Sequence, residues 1–387
     1  MTMTGKERCL AALSGELPDR VPFVPNIFQW FYVNKYRGTL PEYLAWAQNP
    51  IDVLNDMGAD IYSTHDGQVG KRTYPNCGHS VEFGGEVPSG AVLTSFATFD
   101  AGTIRKERIE TPFGTLTQTW EYRPESGAPF ESEHWWKDFE AELPAIRYWL
   151  EDTEVHLDTD LWSQRIERVG QDGIIPIILL PTPLKQFHWL AGQEQATYFM
   201  LDHHQQMQQL AKIHERNLLR FLEEVVDLDD VYVLEVSDNV DSLFYSPRLF
   251  RAFCLSTLKK AAEMVHARGK YLFLHACGQL KALAPLFLEA ELDCVEGQAP
   301  PPLGDWHLHE ARELSEGLIV CGGMAAPQQE LAGPRAADQI DAYVRGLFAS
   351  MGDKRRFLFG SSCNTSPMTP YENLLAFRDA AWKYGQL

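Results

Sequence analysis

The chain has 387 residues, 45% hydrophobic and 22% charged, with a formal net charge of −19. Such an acidic, globular composition lacks the clustered Lys and Arg that nucleic acids and anionic membrane surfaces require, so both are excluded as leading partners. No stretch approaches the roughly 20 apolar residues of a membrane span. The 7 cysteines are odd in number and widely spread, which suits reduced thiols in the cytoplasm rather than a disulfide framework.

The opening "MTMTGKERCLAALSGELPDR" has no apolar core of a secretion signal, consistent with that cytoplasmic expectation. Beyond it, short apolar and β-branched runs recur: "VPFVPN" (21–26), "ADIYSTH" (59–65), "IIPIILL" (174–180), "VYVLEVSD" (231–238), "YLFLHAC" (271–277), "LDCVEG" (292–297), "LIVCGG" (318–323) and "RFLFGSSC" (356–363). Between most of them lie segments with helical spacing, such as 196–227 and 246–269. The second opens with a capping Ser246 and Pro247 in the first turn and closes at Gly269. Strands alternating with helices imply a parallel sheet, and this number of strands closes a (β/α)8 barrel. We read 1–387 as one such barrel domain. Residues 67–135 break the rhythm, being rich in Gly, Thr and aromatics with a hairpin-like "TPFGTLTQTWEY" (111–122). They are expected to form a β-rich insertion after the second strand that covers one mouth of the barrel, the alternative being a small separate domain.

Barrel geometry turns this into a site prediction, because catalytic groups gather at the C-terminal ends of the strands. Those ends carry Asn26, His65, Asp66, Pro181, Glu235, Asp238, His275, Cys277, Glu296, Cys321 and Cys363. His275 and Cys277 are two apart, so both can turn toward one point. Imidazole nitrogen and thiolate sulfur are preferred zinc ligands, and three protein ligands with an open fourth position describe a catalytic zinc site. Either Cys321 or Cys363 can supply the third. Asp238 is a candidate proton carrier, metal ligand or helix cap; His65 and Glu296 are candidate acid–base or polar mouth residues. "NIFQWFY" (26–32) places Phe28, Trp30, Phe31 and Tyr32 just after the first strand, either as a pocket wall for a flat or methylated ligand or as helix packing. No dinucleotide fingerprint, phosphate loop or serine nucleophile elbow is present.

The run "LHACG" (274–278), the "GG" of "VCGGMAAP" (320–327) and "GSSCNTSPMTPYENLLAF" (360–377) resemble the uroporphyrinogen decarboxylase superfamily, and most closely its corrinoid-dependent methyltransferase branch. "GKERCLAALSGELPDRVPF" (5–23), "TPFGTLTQ" (111–118) and "SPRLFRAF" (246–253) extend the likeness over nearly the whole chain. The resemblance implies a (β/α)8 barrel. It also implies a zinc ion held by His275, Cys277 and Cys363, with Cys321 as a neighbour and Glu235, or else Asp238, as a fourth, exchangeable ligand. It further implies methyl transfer between a small substrate and the cobalt of a corrinoid on a separate protein, since no Asp-x-His-x-x-Gly segment is present here. The aromatic segment favours O-demethylation of a methoxylated aromatic, with Asn26, Phe28, Trp30, Tyr32 and Glu296 around the substrate and His65 or Asp238 moving a proton; a thiol acceptor is the other choice. Decarboxylation is the alternative within the superfamily. There, an Arg-rich segment after the first strand grips the substrate, where this chain reads "NIFQWFYVNKYRG" (26–38). A non-catalytic barrel acting as a binding module is the second alternative.

Overall fold

The apolar runs become strands of a curled parallel sheet in the computed structural model, which describes residues 2–85, 104–123 and 128–386. Seven strands lie side by side in the order Phe23–Val24, Phe357–Ser361, Ile319–Met324, Cys294–Gln298, Tyr271–His275, Val233–Ser237 and Ile177–Leu179. Each neighbouring pair is parallel. The gap between the ends is filled by Ile61–Tyr62, which pairs in parallel with Gly173–Ile174. That segment and Ile177–Leu179 form one strand interrupted at Pro176, whose missing N–H breaks the ladder.

The remaining seam, between Phe23–Val24 and Ile61–Tyr62, is closed by Asp60. Its N–H donates to the Phe23 carbonyl at 2.8 Å, and its carboxylate accepts from the Phe23 N–H at 3.0 Å. A side chain thus replaces a ladder bond that strands of two residues are too short to make. The carboxylate is buried and also takes Arg8 Nη1 and, at 2.8 Å, Arg20 Nη1. Asp60→Ala removes the charge that two guanidiniums share, and truncating one partner of a buried pair costs about 3–5 kcal/mol. The denaturant midpoint is therefore expected to drop sharply; an unchanged midpoint would mean that the seam closes without Asp60.

Strand alternation sorts the barrel interior into layers. Val24, Tyr62, Ile174, Val233, Phe273, Cys294, Ile319, Cys321 and Leu358 form one buried cluster with Cys9, Ala12 and Leu13 of the N-terminal helix Gly5–Ser14. That helix plugs the bottom of the barrel. Its start is fixed by a capping box of Thr4 and Glu7, and its end by Gly15 in the left-handed region. Two residues further along three of these strands, the same inward face turns polar: Val233 leads to Glu235, Phe273 to His275 and Cys294 to Glu296.

After the second strand the chain leaves the barrel. Gly70–Thr73 pairs antiparallel with Glu154–Leu157. Strands Gly78–Gly84, Ile104–Thr111, Gly114–Arg123 and Ala128–Glu133 form an antiparallel sheet in that order. The β-rich insertion therefore stands where the sequence placed it; its residues 86–103 and 124–127 lie outside the described residues. "SEHWWKD" then delivers the chain to helix Phe139–Asp152, which Asp138 caps by accepting from the Ala141 N–H at 3.0 Å. Both long helical segments are each broken once. The first splits at His203 into Gln193–Asp202 and His204–Val225, and the second at Cys254 into Pro247–Phe253 and Leu255–His266. Ser246 caps the latter pair, accepting from the Leu249 N–H.

Candidate metal centre and the adjoining cavity

His275 ends the fifth barrel strand, Cys277 follows two residues on, and Cys363 follows the eighth strand. The ligand-capable atoms of these three all lie within 4.8 Å of one another. His275 Nε2 is 3.6 Å from the Cys363 sulfur. Nδ1, the other ring nitrogen, meets the Glu296 carboxylate, which parallel register places beside His275 on the next strand. This is the second-shell arrangement that fixes which imidazole nitrogen faces a metal. Burial works against a charged His275 ring, but Glu296 and Cys363 together carry its pKa well up. The two sulfurs interact directly. Their hydrogen bond draws the Cys277 thiol down and pushes Cys363 up, so Cys277 is the readier thiolate. One imidazole nitrogen, two sulfurs within 4.8 Å of it and of each other, and a carboxylate behind the imidazole fit a zinc ion in donor type and number.

Glu235 belongs to a different grouping. With His275 and Glu296 it forms a second set within 4.8 Å, one layer below the sulfurs. It accepts a hydrogen bond from the Tyr62 hydroxyl at 2.7 Å. Burial, reinforced by the Glu296 charge, lifts its pKa strongly. Cys321 lies inside strand Ile319–Met324 in the apolar layer against the N-terminal helix, and burial holds it as a thiol.

The other predicted residues divide between cavity and scaffold. Asp238 ends the fourth strand with both carboxylate oxygens taken by Thr182, one from its N–H at 2.8 Å and one from its hydroxyl; burial lifts its pKa to about 6. His65 stacks on Phe28 with ring centres 3.4 Å apart, and burial pushes its pKa down to about 3, so its imidazole is neutral. Asn26 is engaged by its own neighbourhood: its N–H donates to Ser361 Oγ, its side-chain oxygen accepts from the Phe28 N–H, and its carbonyl accepts from the Thr365 N–H. Trp30 is fully buried, with its indole N–H donating to the Thr369 carbonyl at 2.8 Å and its ring stacked on Tyr371. Phe28 and Tyr32, four apart on helix Phe28–Arg37, share the face that lines a cavity.

That cavity has a volume of about 880 Å³ and lies between the barrel mouth and the insertion. On the barrel side it is lined by Leu179, Leu180, Pro181, Ser237, Asn239 and Asn364. Asn239 Oδ1 accepts from the Cys277 thiol at 3.6 Å, and Asn364 Nδ2 approaches the Cys363 sulfur at 4.0 Å. The candidate metal centre thus adjoins the cavity through two asparagines that the sequence reading did not single out. Each directly follows a residue it did single out, Asp238 and Cys363. The insertion adds Arg72, Tyr74, His79, Arg105, Glu107, Gln118 and Trp120, and Trp135, Trp149 and Trp189 widen the aromatic wall.

A parallel barrel whose C-terminal mouth gathers an imidazole and two thiols, beneath an aromatic cavity roofed by an insertion, defines the class of protein: a barrel with side chains at its mouth that could hold a metal ion. Residues 183–384 match the family model of uroporphyrinogen decarboxylase (URO-D), and the chain belongs to that family. No curated relative matches it. Among solved structures it is similar to a methyltransferase from Methanosarcina mazei, at 18% identity over 99% of each chain with a TM-score of 0.60, a likeness of fold. Among the described residues, no helix is long and apolar enough to cross a membrane.

Proposed function

We propose that this protein is a zinc-dependent methyltransferase. In this reading it moves a methyl group between a methoxylated aromatic compound and the cobalt of a corrinoid carried by a separate protein. The observation that carries the reading is the meeting of His275, Cys277 and Cys363 beside an aromatic-walled cavity at the barrel mouth. These three residues would hold the zinc ion, which when bound supplies Lewis-acid polarisation of a substrate oxygen. The fold shared with a methyltransferase at 18% identity supports the reading.

The chain's own residues have distinct tasks in this proposal. Phe28 and Tyr32 hold the aromatic ring by edge and face contacts. Glu296 keeps His275 Nδ1 occupied, so that Nε2 faces the two sulfurs. Asn239 and Asn364 align the sulfurs while presenting amides to the cavity. The aryl oxide left by methyl loss takes up one proton, and Asp238, which meets Thr182 through both carboxylate oxygens just after the fourth strand, is the candidate carrier of that proton. His65, held neutral, serves as a stacking surface for Phe28.

The test is incubation of the protein with a Co(I) corrinoid protein and a methoxylated aromatic such as 3-methoxybenzoate or 2-methoxyphenol, followed by the cobalt spectrum. Loss of the Co(I) bands together with release of the free phenol is expected. Release of CO2 from uroporphyrinogen without added metal would instead assign decarboxylase chemistry.

A further inference from the structure

The wall that the insertion contributes is built by strand register. Ile104–Thr111 and Gly114–Arg123 pair so that Arg105 stands beside Trp120 and Glu107 beside Gln118. All four side chains share one face of the sheet and all four line the cavity. The Arg105 guanidinium is matched internally, with Nη2 3.0 Å from Glu107 Oε1. Arg72 is not. It shares the cavity-facing side of its strand with Gly70, lies over the Trp189 ring at 5.9 Å, and has no ion-pair partner among the described residues. Its charge is felt by His214, another cavity residue, whose imidazole burial chiefly, and Arg72 lastly, hold down at about 4.

The sign of this wall opposes the sign of the chain. Acidic residues outnumber basic ones 53 to 34 overall, yet the described residues that line the cavity include two arginines and a single carboxylate. Glu107 already answers one of those arginines, which leaves Arg72 as a net positive charge facing an aromatic chamber. A neutral aromatic ether gives such a cation nothing to bind, whereas a ring carrying a carboxylate satisfies it with a charge-assisted, two-point contact.

We propose that the cavity selects anionic aromatic substrates, aryl ethers bearing a carboxylate, and that Arg72 on the insertion is the residue that recognises the carboxylate. The inference deepens the function proposed above and rests on it for the word "substrate", but the binding preference is measurable without methyl transfer. The insertion is thereby a specificity element as well as a roof.

The cavity tryptophans give a direct readout. Quenching of intrinsic fluorescence is titrated with 3-methoxybenzoate and with its neutral isostere 3-methoxybenzamide, with no corrinoid protein present. The acid is expected to bind about tenfold more tightly than the amide, as one charge-assisted contact predicts. Arg72→Gln is expected to remove that difference by weakening the acid alone, while Lys71→Gln, on the opposite face of the same strand, leaves it in place. Equal binding of acid and amide, no binding of the acid, or a preference that survives Arg72→Gln overturns the proposal. Acid selectivity dependent on Arg72, in a protein that transfers no methyl group to cobalt, upholds this inference and sinks the methyltransferase reading. Methyl transfer from neutral ethers that is indifferent to Arg72 does the reverse.

Discussion

Cys363→Ala is expected to strip the protein of zinc and of methyl transfer without unfolding it. The thiol sits after the eighth strand at the barrel mouth, half-buried, and its described contacts are with His275, Cys277 and Asn364 rather than with the apolar core. Its loss leaves one nitrogen and one sulfur, too few to hold zinc in competition with a chelator. The size of the effect can be bounded from the second shell. Glu296→Gln keeps every ligand and weakens only the support of His275 Nδ1, a change that typically costs 10–100-fold in metal affinity; a missing ligand must cost more than about 100-fold. Cys321→Ala provides the contrast, because that thiol packs in the apolar layer against the N-terminal helix and should lower stability modestly while zinc stays near one per chain. Metal content after dialysis against a weak chelator, read beside circular dichroism, separates the three. If Cys363→Ala keeps stoichiometric zinc, or Cys321→Ala loses it, the ligand set is wrong.

The barrel strands were readable in the sequence because each is a short apolar run ended by a polar or Gly-containing turn, and parallel strands buried on both faces need that composition. The His-x-Cys pair was readable for the same reason: period-two alternation carries Phe273, His275 and Cys277 to one side whatever the rest of the chain does. Interruptions were harder to see. Pro176 splits one apolar run into two ladder segments, and His203 and Cys254 break helices whose apolar spacing continues through them. Neither His203 nor Cys254 is a Gly or Pro, so no local breaker marks either helix break. The aromatic segment was readable in composition but not in direction. Helical geometry points Phe28 and Tyr32 to the cavity and Trp30 to Tyr371, and which face meets the mouth depends on how the helix docks.

The insertion shows the limit most clearly. Its alternation marks strands, yet nothing local tells which face of the sheet turns toward the barrel, so Arg72, Arg105 and Gln118 could not be assigned to a cavity before the two parts were seen together. Asn239 is a similar case. It lies at φ 50, in the left-handed region that Asn tolerates better than most residues, and that turn is what brings its amide to the Cys277 sulfur. A following Asn after a strand-end Asp is a turn signal in sequence; its contact with a residue 38 positions away is visible only in the fold.

Gly297→Ala is expected to damage stability and the metal centre together. Gly297 follows Glu296 at φ 91, where side chains are rarely accommodated. An added Cβ would lie 2.9 Å from His275 Cε1, 2.9 Å from the Ser362 carbonyl oxygen and 3.0 Å from that of Ala276. Two of those neighbours are backbone in the loops that carry Cys277 and Cys363, and the third is the ring of a proposed ligand, so there is no flexible side chain to move aside. Conformational strain of about 1–2 kcal/mol and overpacking of about 1–3 kcal/mol act together, and the ring can relieve the second only by leaving the sulfurs. Gly269→Ala isolates the first contribution. Gly269 has φ 65 with nothing within 4 Å of an added Cβ, so it should cost only that strain, about 1–2 kcal/mol, and leave zinc untouched. Denaturant unfolding and zinc affinity measured on both variants decide the matter. Equal losses of stability with zinc affinity unchanged in each would show that the imidazole is not held where Gly297 gives it room.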